Sequence, residues 1–468
     1  MLFTQIEFLF LFVAAFGFLL VCRNNTLRKV GLLVASYYFY AYWDYRFLAL
    51  IGLSTIVDYA IGLSLVRLDP VSHSKQRKRL LILSLAINLG ALGFFKYCNF
   101  FIESFRVALS PLGWNLETLN IILPVGISFY TFQTLSYTID VYRGRLKACR
   151  SLLDFALFVS FFPQLVAGPI VRASDFLPQL ETTRRLSAAR CYSGFRQFTI
   201  GLFKKMFIAD NLAGFVDAVF VTAGSYDALT TWLAVIAYSM QIYCDFSGYS
   251  DMAIGVARTL GYDLPRNFNW PYLATRIDDF WRRWHISLSS WLRDYLYIPL
   301  GGNRKGRART YVNLMITMLL GGLWHGAAWT FVVWGGIHGG ALAITKFCDE
   351  AFPSTAKPSL FRQALGRMVT LLIVAIAWVF FRAATFTDAA RILQSMLGGG
   401  DGFRYLPIMM AIILPCSLIV HLLGLLNSEK PIALPANRVS SAFAILTMFW
   451  LAIVFHPRNF SPFIYFQF

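Results

Sequence analysis

Twelve apolar runs recur along the chain, at 2–22, 30–42, 46–66, 80–102, 119–142, 151–171, 197–222, 229–257, 311–345, 365–383, 405–426 and 438–456. A helix needs about 20 apolar residues to cross the hydrocarbon core of a bilayer. Most of the runs reach that length. A soluble chain of this size would also show more charge: 57% of the 468 residues are hydrophobic and only 14% are charged. The expected fold class is therefore an all-α polytopic membrane protein. The run at 30–42 is short. The run at 311–345 is long enough for two elements, with Gly321, Gly322, Gly335 and Gly336 as expected break points. The N-terminal run has neither a basic leader nor a small-residue cleavage site, so it reads as a retained first span.

The formal charge is +18. Lys and Arg sit in short loops between apolar runs, as the positive-inside rule expects, and no basic soluble module remains for nucleic acid to bind. Arg23, Arg28 and Lys29 follow the first run. The segment at 43–46 is nearly neutral. Arg67, Lys75, Arg77, Lys78 and Arg79 follow the third run, and Arg143, Arg145, Lys147 and Arg150 the fifth. This alternation predicts a periplasmic N-terminus and cytoplasmic basic loops, secure to about residue 150. The seven cysteines are scattered without C-x-x-C spacing, which argues against a disulfide framework or a thiolate zinc site.

Residues 258–310 break the pattern, being too charged to span and rich in aromatics. Trp281, Trp284 and Trp291 lie among Arg282, Arg283 and Arg293, and on one continuous helix 281, 284, 285 and 288 would share a face. That composition suits an interfacial or re-entrant helix, with rings at headgroup level and basic groups in water. The cluster Arg304, Lys305, Arg307 and Arg309 reads as a topology signal, with attraction of a donor's phosphates as the alternative.

Six histidines are present. His73 lies in a basic loop. His421 and His456 end apolar runs, and His338 raises a metal question that no ligand spacing supports, so no metal site is expected. His325 is different. It sits in GLWHGAAW, among small residues that let a ligand or backbone approach, with Trp324 and Trp329 as expected pocket walls. A neutral imidazole tolerates low dielectric and takes a proton from a hydroxyl near neutral pH. The competing reading is a packing histidine hydrogen-bonded to a neighbouring helix. His285, in WRRWHISLS, reads either as a second polar group of that site or as a helix anchor. The stretch QIYCDFSGYSDMAIG at 241–255 places Gln241, Asp245, Ser247, Ser250 and Asp251 in a membrane segment, either bonding between helices around Gly248 or lining a chamber. There is no P-loop, no G-x-G-x-x-G and no G-x-S-x-G elbow. A channel, a transporter and an intramembrane enzyme all remain open on these residues alone.

Further stretches carry a resemblance: LLVASYYFYAYWDYRF at 32–47, LPVGISFYTFQTLSYTIDVYRG at 123–144, FFPQLVAGPIVR at 161–172, RNFNWPYLATRIDDFWRRWHISLSSWLRDYLYIPLGGNR at 266–304 and WVFFRA at 378–383. With the L-W-H-G and W-H-x-S-L motifs, they make the chain resemble the membrane-bound O-acyltransferases, in the bacterial branch of alginate O-acetylation, over nearly its whole length. The resemblance implies one domain, 1–468, of about eleven spans plus re-entrant helices around a central funnel. The spans of 1–150, the re-entrant region 258–310 and the catalytic segment 311–345 are its parts. It implies His325 as catalytic base and His285 beside it, with Trp324, Trp284, Asp245, Gln241 and Asn269 as candidate substrate contacts. No bound cofactor is implied; the donor is a cytosolic thioester, acetyl-CoA. The implied setting is the bacterial inner membrane and its lipid, with periplasmic partner proteins of the SGNH-hydrolase type. The resemblance leaves the polymer open among alginate, another exopolysaccharide, cellulose and peptidoglycan, with D-alanylation of teichoic acid as the related reaction.

Overall fold

The computed structural model describes residues 1–113, 117–353, 358–398, 402–423, 439–457 and 463–464. Positions 424–426 and 438, at the ends of two apolar runs, lie outside them. The protein is all-α: no strand occurs among the described residues beyond an isolated bridge between Tyr226 and Phe403. Four helical stretches are long and apolar enough to cross a membrane, at Asn25–Arg67, Ser74–Leu112, Trp329–Ala351 and Leu360–Arg382. The described residues form two compact units, 1–198 with 252–265, and 199–251 with 266–468.

In the first unit, α1 (Ile6–Val21), α2 (Asn25–Asp44), α3 (Leu48–Arg67), α4 (Ser74–Leu92) and α5 (Cys98–Leu109) precede α6 (Ile127–Tyr142). The shorter α7 (Leu152–Ser160), α8 (Phe162–Leu165) and α9 (Ala173–Leu180) follow, then α10 (Ala188–Leu202), which carries the chain past residue 198. The run at 151–171 is thus not one span. Polar caps start helices where the sequence offers them: Asn24 Oδ1 accepts the Leu27 N–H at 3.1 Å and Ser151 Oγ the Asp154 N–H at 3.2 Å. Two arginines of the basic loops are buried and close helix ends. The Arg28 guanidinium donates to the carbonyls of Leu19 and Cys22 at the end of α1. That of Arg77 donates to Leu65 and Leu68 at the end of α3 and to Tyr142 at the end of α6. A cation on terminal carbonyls satisfies orphan acceptors and suits the negative end of the helix dipole. Lys29 pairs with Asp154 at 2.7 Å, tying the start of α2 to that of α7. Asp58 of α3 is fully buried, and accepts from Thr138 Oγ1 at 2.8 Å, from Asn88 Nδ2 at 2.7 Å and from Ser84. This network joins α3, α4 and α6.

The second unit holds α11 (Asp210–Val221) and most of α12 (Ala228–Thr259). Then come the short α13 (Ile277–Arg283) and α14 (Ile286–Leu292), followed by α15 (Arg307–His325), α16 (Trp329–Ala351), α17 (Leu360–Arg382), α18 (Phe386–Met396), α19 (Ile408–Leu423) and α20 (Val439–Val454). The expected break points of 311–345 are corrected. The chain turns at Gly326–Ala328, while Gly322 and Gly335 lie inside helices. A Cβ on Gly322 would collide with the Phe331 carbonyl, and one on Gly335 with that of Met318. The glycines serve close backbone approach of α15 and α16 rather than a bend. The single helix through 281–288 is corrected too. His285 adopts a left-handed backbone, φ +42, which separates α13 from α14. Each of these helices has seven residues, about 10 Å, too short to span. Trp281, Trp284 and Trp291 are buried in protein, whereas Arg282 and Arg293 are exposed as the composition suggested.

Candidate active site

His325 is the last residue of α15 and 4% exposed. Its ring lies 5.1 Å from Trp324, 5.0 Å from Trp334 of α16 and 5.4 Å from Phe381 of α17, centroid to centroid. Trp329, expected as a wall, is 54% exposed; it starts α16 facing outward, and Trp334 and Phe381 provide the enclosure instead. The glycine-packed hairpin of α15 and α16 sets the Trp334 position. Phe381 comes from the W-V-F-F-R-A stretch, whose Arg382 pairs with Asp217 at 2.6 Å.

His285 is completely buried, 6.4 Å from the His325 ring and 6.0 Å from Trp324. Phe246 of α12 packs edge-on against it at 4.6 Å. Its Nδ1 lies 3.1 Å from Asn267 Oδ1, which also accepts from the Ser287 N–H at 3.2 Å and the Ser287 hydroxyl at 2.9 Å. The Asn267 carbonyl accepts the Ile286 N–H at 2.9 Å, so Asn267 caps α14 from a remote segment. The sequence reading selected Asn269 from the same R-N-F-N-W stretch. Asn269 is half-buried and its backbone bonds to Arg283. Two asparagines one residue apart look alike in sequence; only the left-handed turn at His285 selects Asn267.

The other candidates sit apart from the histidine pair in their bonding. Trp284 is sealed between Phe268, Phe280 and Trp378, at 5.1, 5.7 and 5.0 Å. Asp245 is ion-paired with Lys205 and accepts the Ile464 N–H at 2.9 Å. Lys205 also pairs with Asp210 at 2.8 Å, and neighbouring Lys204 pairs with Asp251 at 2.7 Å. Gly248 between those carboxylates lets α12 meet this segment: a Cβ there would lie 2.7 Å from the Gly201 carbonyl. For Asp245 and Asp251 the geometry favours bonding between helices over a chamber wall. Gln241 is buried, and its Oε1 has no hydrogen-bond partner among the described residues. His338 stacks on Phe280 at 6.0 Å and meets Trp334 at 4.8 Å; His421 lies among Tyr243, Trp270 and Tyr272.

The segments that carry the two histidines fall inside a family match. Residues 146–386, which include both histidines, match the family model described as MBOAT, membrane-bound O-acyltransferase family. This chain belongs to the membrane-bound O-acyltransferase family. It is 40% identical over 494 residues to the probable alginate O-acetylase AlgI of Pseudomonas putida, covering all of both chains. It is 45% identical over 405 residues to the probable alginate O-acetylase AlgI of Azotobacter vinelandii, covering 86% of this chain and 79% of the relative. It is 40% identical over 423 residues to a peptidoglycan O-acetyltransferase of Helicobacter pylori, covering 84% and 78%. As a member of this O-acyltransferase family the protein is an enzyme, and its apolar helices fit the multi-pass membrane setting of the family.

Proposed function

We propose that this membrane O-acyltransferase supplies acetyl groups for O-acetylation of an alginate-like exopolysaccharide at the bacterial inner membrane, with His325 as the base. The observation that carries the assignment is the placement of His325, an imidazole at a helix end, within 6.4 Å of a second one and walled by aromatic rings. In the reaction, the oxygen of an acceptor hydroxyl bonds to the carbonyl carbon of an acetyl thioester, acetyl-CoA in the first instance. The C–S bond breaks and the hydroxyl proton passes to the His325 ring, which returns it to the leaving thiolate. The imidazolium formed on the way lies at the C-terminus of α15, where the helix dipole favours a cation. Aromatic walls keep water from competing for the thioester. Trp324, in ring contact with both histidines, is the candidate substrate contact best supported by position, and Gln241 offers an acceptor atom. A polymer outside the membrane and a thioester inside it need a relay, so a periplasmic SGNH-type protein is the expected partner. The charge of the loops supports a periplasmic N-terminus.

His325→Ala is expected to abolish ester-linked acetate on the extracellular polysaccharide while the protein remains inserted at the wild-type level. Full acetylation by that variant rejects the catalytic role. The Helicobacter pylori relative supports a second reading, acetylation of peptidoglycan. Measuring ester acetate on both polymers in a deletion strain, with and without the gene, separates the two.

A further inference from the structure

We propose that Asn267 is a positioning residue for acyl transfer, fixing His285 with its proton on Nδ1 so that Nε2 is held as a hydrogen-bond acceptor beside His325. This rests on the acyl-transfer reading above.

The orientation of the Asn267 carboxamide follows from its partners. The Ser287 backbone N–H can only donate, so the atom it meets at 3.2 Å is the oxygen, and the amide nitrogen faces Ser250 Oγ at 3.2 Å. A carboxamide oxygen only accepts. His285 Nδ1, at 3.1 Å from it, therefore carries hydrogen. A neutral imidazole has one N–H, which leaves the lone pair on Nε2. That atom is buried and has no hydrogen-bond partner among the described residues. Leaving a buried polar atom unpaired is unfavourable, which points to a group that arrives during turnover. The left-handed backbone at His285 is a second cost held in place by the same asparagine, whose carbonyl takes the Ile286 N–H.

The ring separation fits this role. Two imidazoles bonded directly to each other have centroids about 5 Å apart; at 6.4 Å the two rings are farther apart than direct bonding requires. The rings recorded around His285 are Phe246, Phe268, Trp324 and His325, so His325 is the titratable one among them. A His285 locked by Asn267 accepts a hydrogen bond from a water beside the attacking hydroxyl and cannot donate one to it, so the single proton of the hydroxyl is left for His325. With the tautomer free, an Nε2–H would donate to the attacking oxygen and draw density from it. His285 gains no net proton over the cycle; the hydroxyl proton still travels through His325 to the thiolate.

The test uses the full-length protein in membrane vesicles from cells that carry its partners and polymer, with labelled acetyl-CoA as the probe. In Asn267→Leu, which removes the acceptor, kcat falls about 100-fold with KM for acetyl-CoA little changed. Asn267→Asp keeps an acceptor and regains part of the rate. Its carboxylate favours the imidazolium of His285, so the acid limb of the pH–rate profile moves to higher pH. Wild-type kcat in Asn267→Leu at matched protein level, or an unmoved acid limb in Asn267→Asp, overturns the inference. If Asn267→Leu fails to insert, the pH profile of Asn267→Asp decides. Wild-type vesicles that transfer no acetyl, or a His325→Ala chain that transfers it normally, overturn the acyl-transfer reading instead.

Discussion

Two buried histidines touch the same indole and differ in what surrounds them. Trp334 is in contact with both His325 and His338, at 5.0 and 4.8 Å. His338 lies among Phe280, Trp281 and Trp334, and neither of its ring nitrogens has a hydrogen-bond partner among the described residues. Among the described residues no second imidazole or carboxamide contacts it, in contrast to His285 with Asn267. Its ring therefore contributes stacking, and its polar atoms only cost burial. His338→Phe keeps the stacking and removes those atoms. It is expected to change stability by less than about 1.5 kcal/mol and to leave surface acetylation at the wild-type level, measured beside the inactive His325→Ala chain. Loss of acetylation in a folded His338→Phe protein would bring His338 into the chemistry.

At the scale of elements, the hairpin of α15 and α16 is set by glycines whose role depends on which side of a helix they occupy. Gly335 faces α15, where a Cβ would collide with the Met318 carbonyl; Gly340 of the same helix has nothing within 4 Å of such an atom. The same substitution should then act in opposite directions. Gly335→Ala forces the helices apart, costs about 1–3 kcal/mol and displaces Trp334 from His325, lowering activity as well as thermal stability in detergent. Gly340→Ala gains helix propensity, up to about 1 kcal/mol, and leaves activity alone. Equal melting temperatures for the two variants would show that close packing does not hold the hairpin. These glycines also mark the limit of sequence reading. Composition and run length point to a helical membrane protein, and a lone imidazole among small residues singles out His325 as a candidate. A glycine pair is the same two letters whether it bends a helix or lets two helices touch, and only the partner backbone separates the cases. His285 was noticed for its company of tryptophans, yet its left-handed turn, and with it Asn267, depends on a contact 18 residues away. Asp245 drew attention as a carboxylate in an apolar run; the cation that neutralises it, Lys205, lies 40 positions earlier and lacks any motif linking the two.

For the molecule as a whole, the decisive property is which compartment each loop faces, because the proposed donor and polymer lie on opposite sides. The first unit ties the start of α2 to that of α7 through Lys29 and Asp154, and the loop before α4 to the end of α6 through Arg77. Residues 143–151 join α6 directly to α7. The basic loops at 23–29, 67–79 and 143–150 are thereby gathered at one end of the unit, while the turn at Tyr45–Phe47 lies between the far ends of α2 and α3. Each exposed Lys or Arg near an anionic cytoplasmic leaflet contributes about 1 kcal/mol of attraction, so several together fix the orientation. The expectation is testable with single cysteines in an otherwise cysteine-free chain, at Val71 in the basic loop and at Tyr45 in the neutral turn, which are 84% and 74% exposed. A membrane-impermeant maleimide should label Val71→Cys in inverted vesicles and not in intact spheroplasts, and Tyr45→Cys the other way round. The opposite pattern would place the N-terminus in the cytoplasm. Labelling of both cysteines from one side would mean that α2 and α3 do not cross the bilayer as a pair.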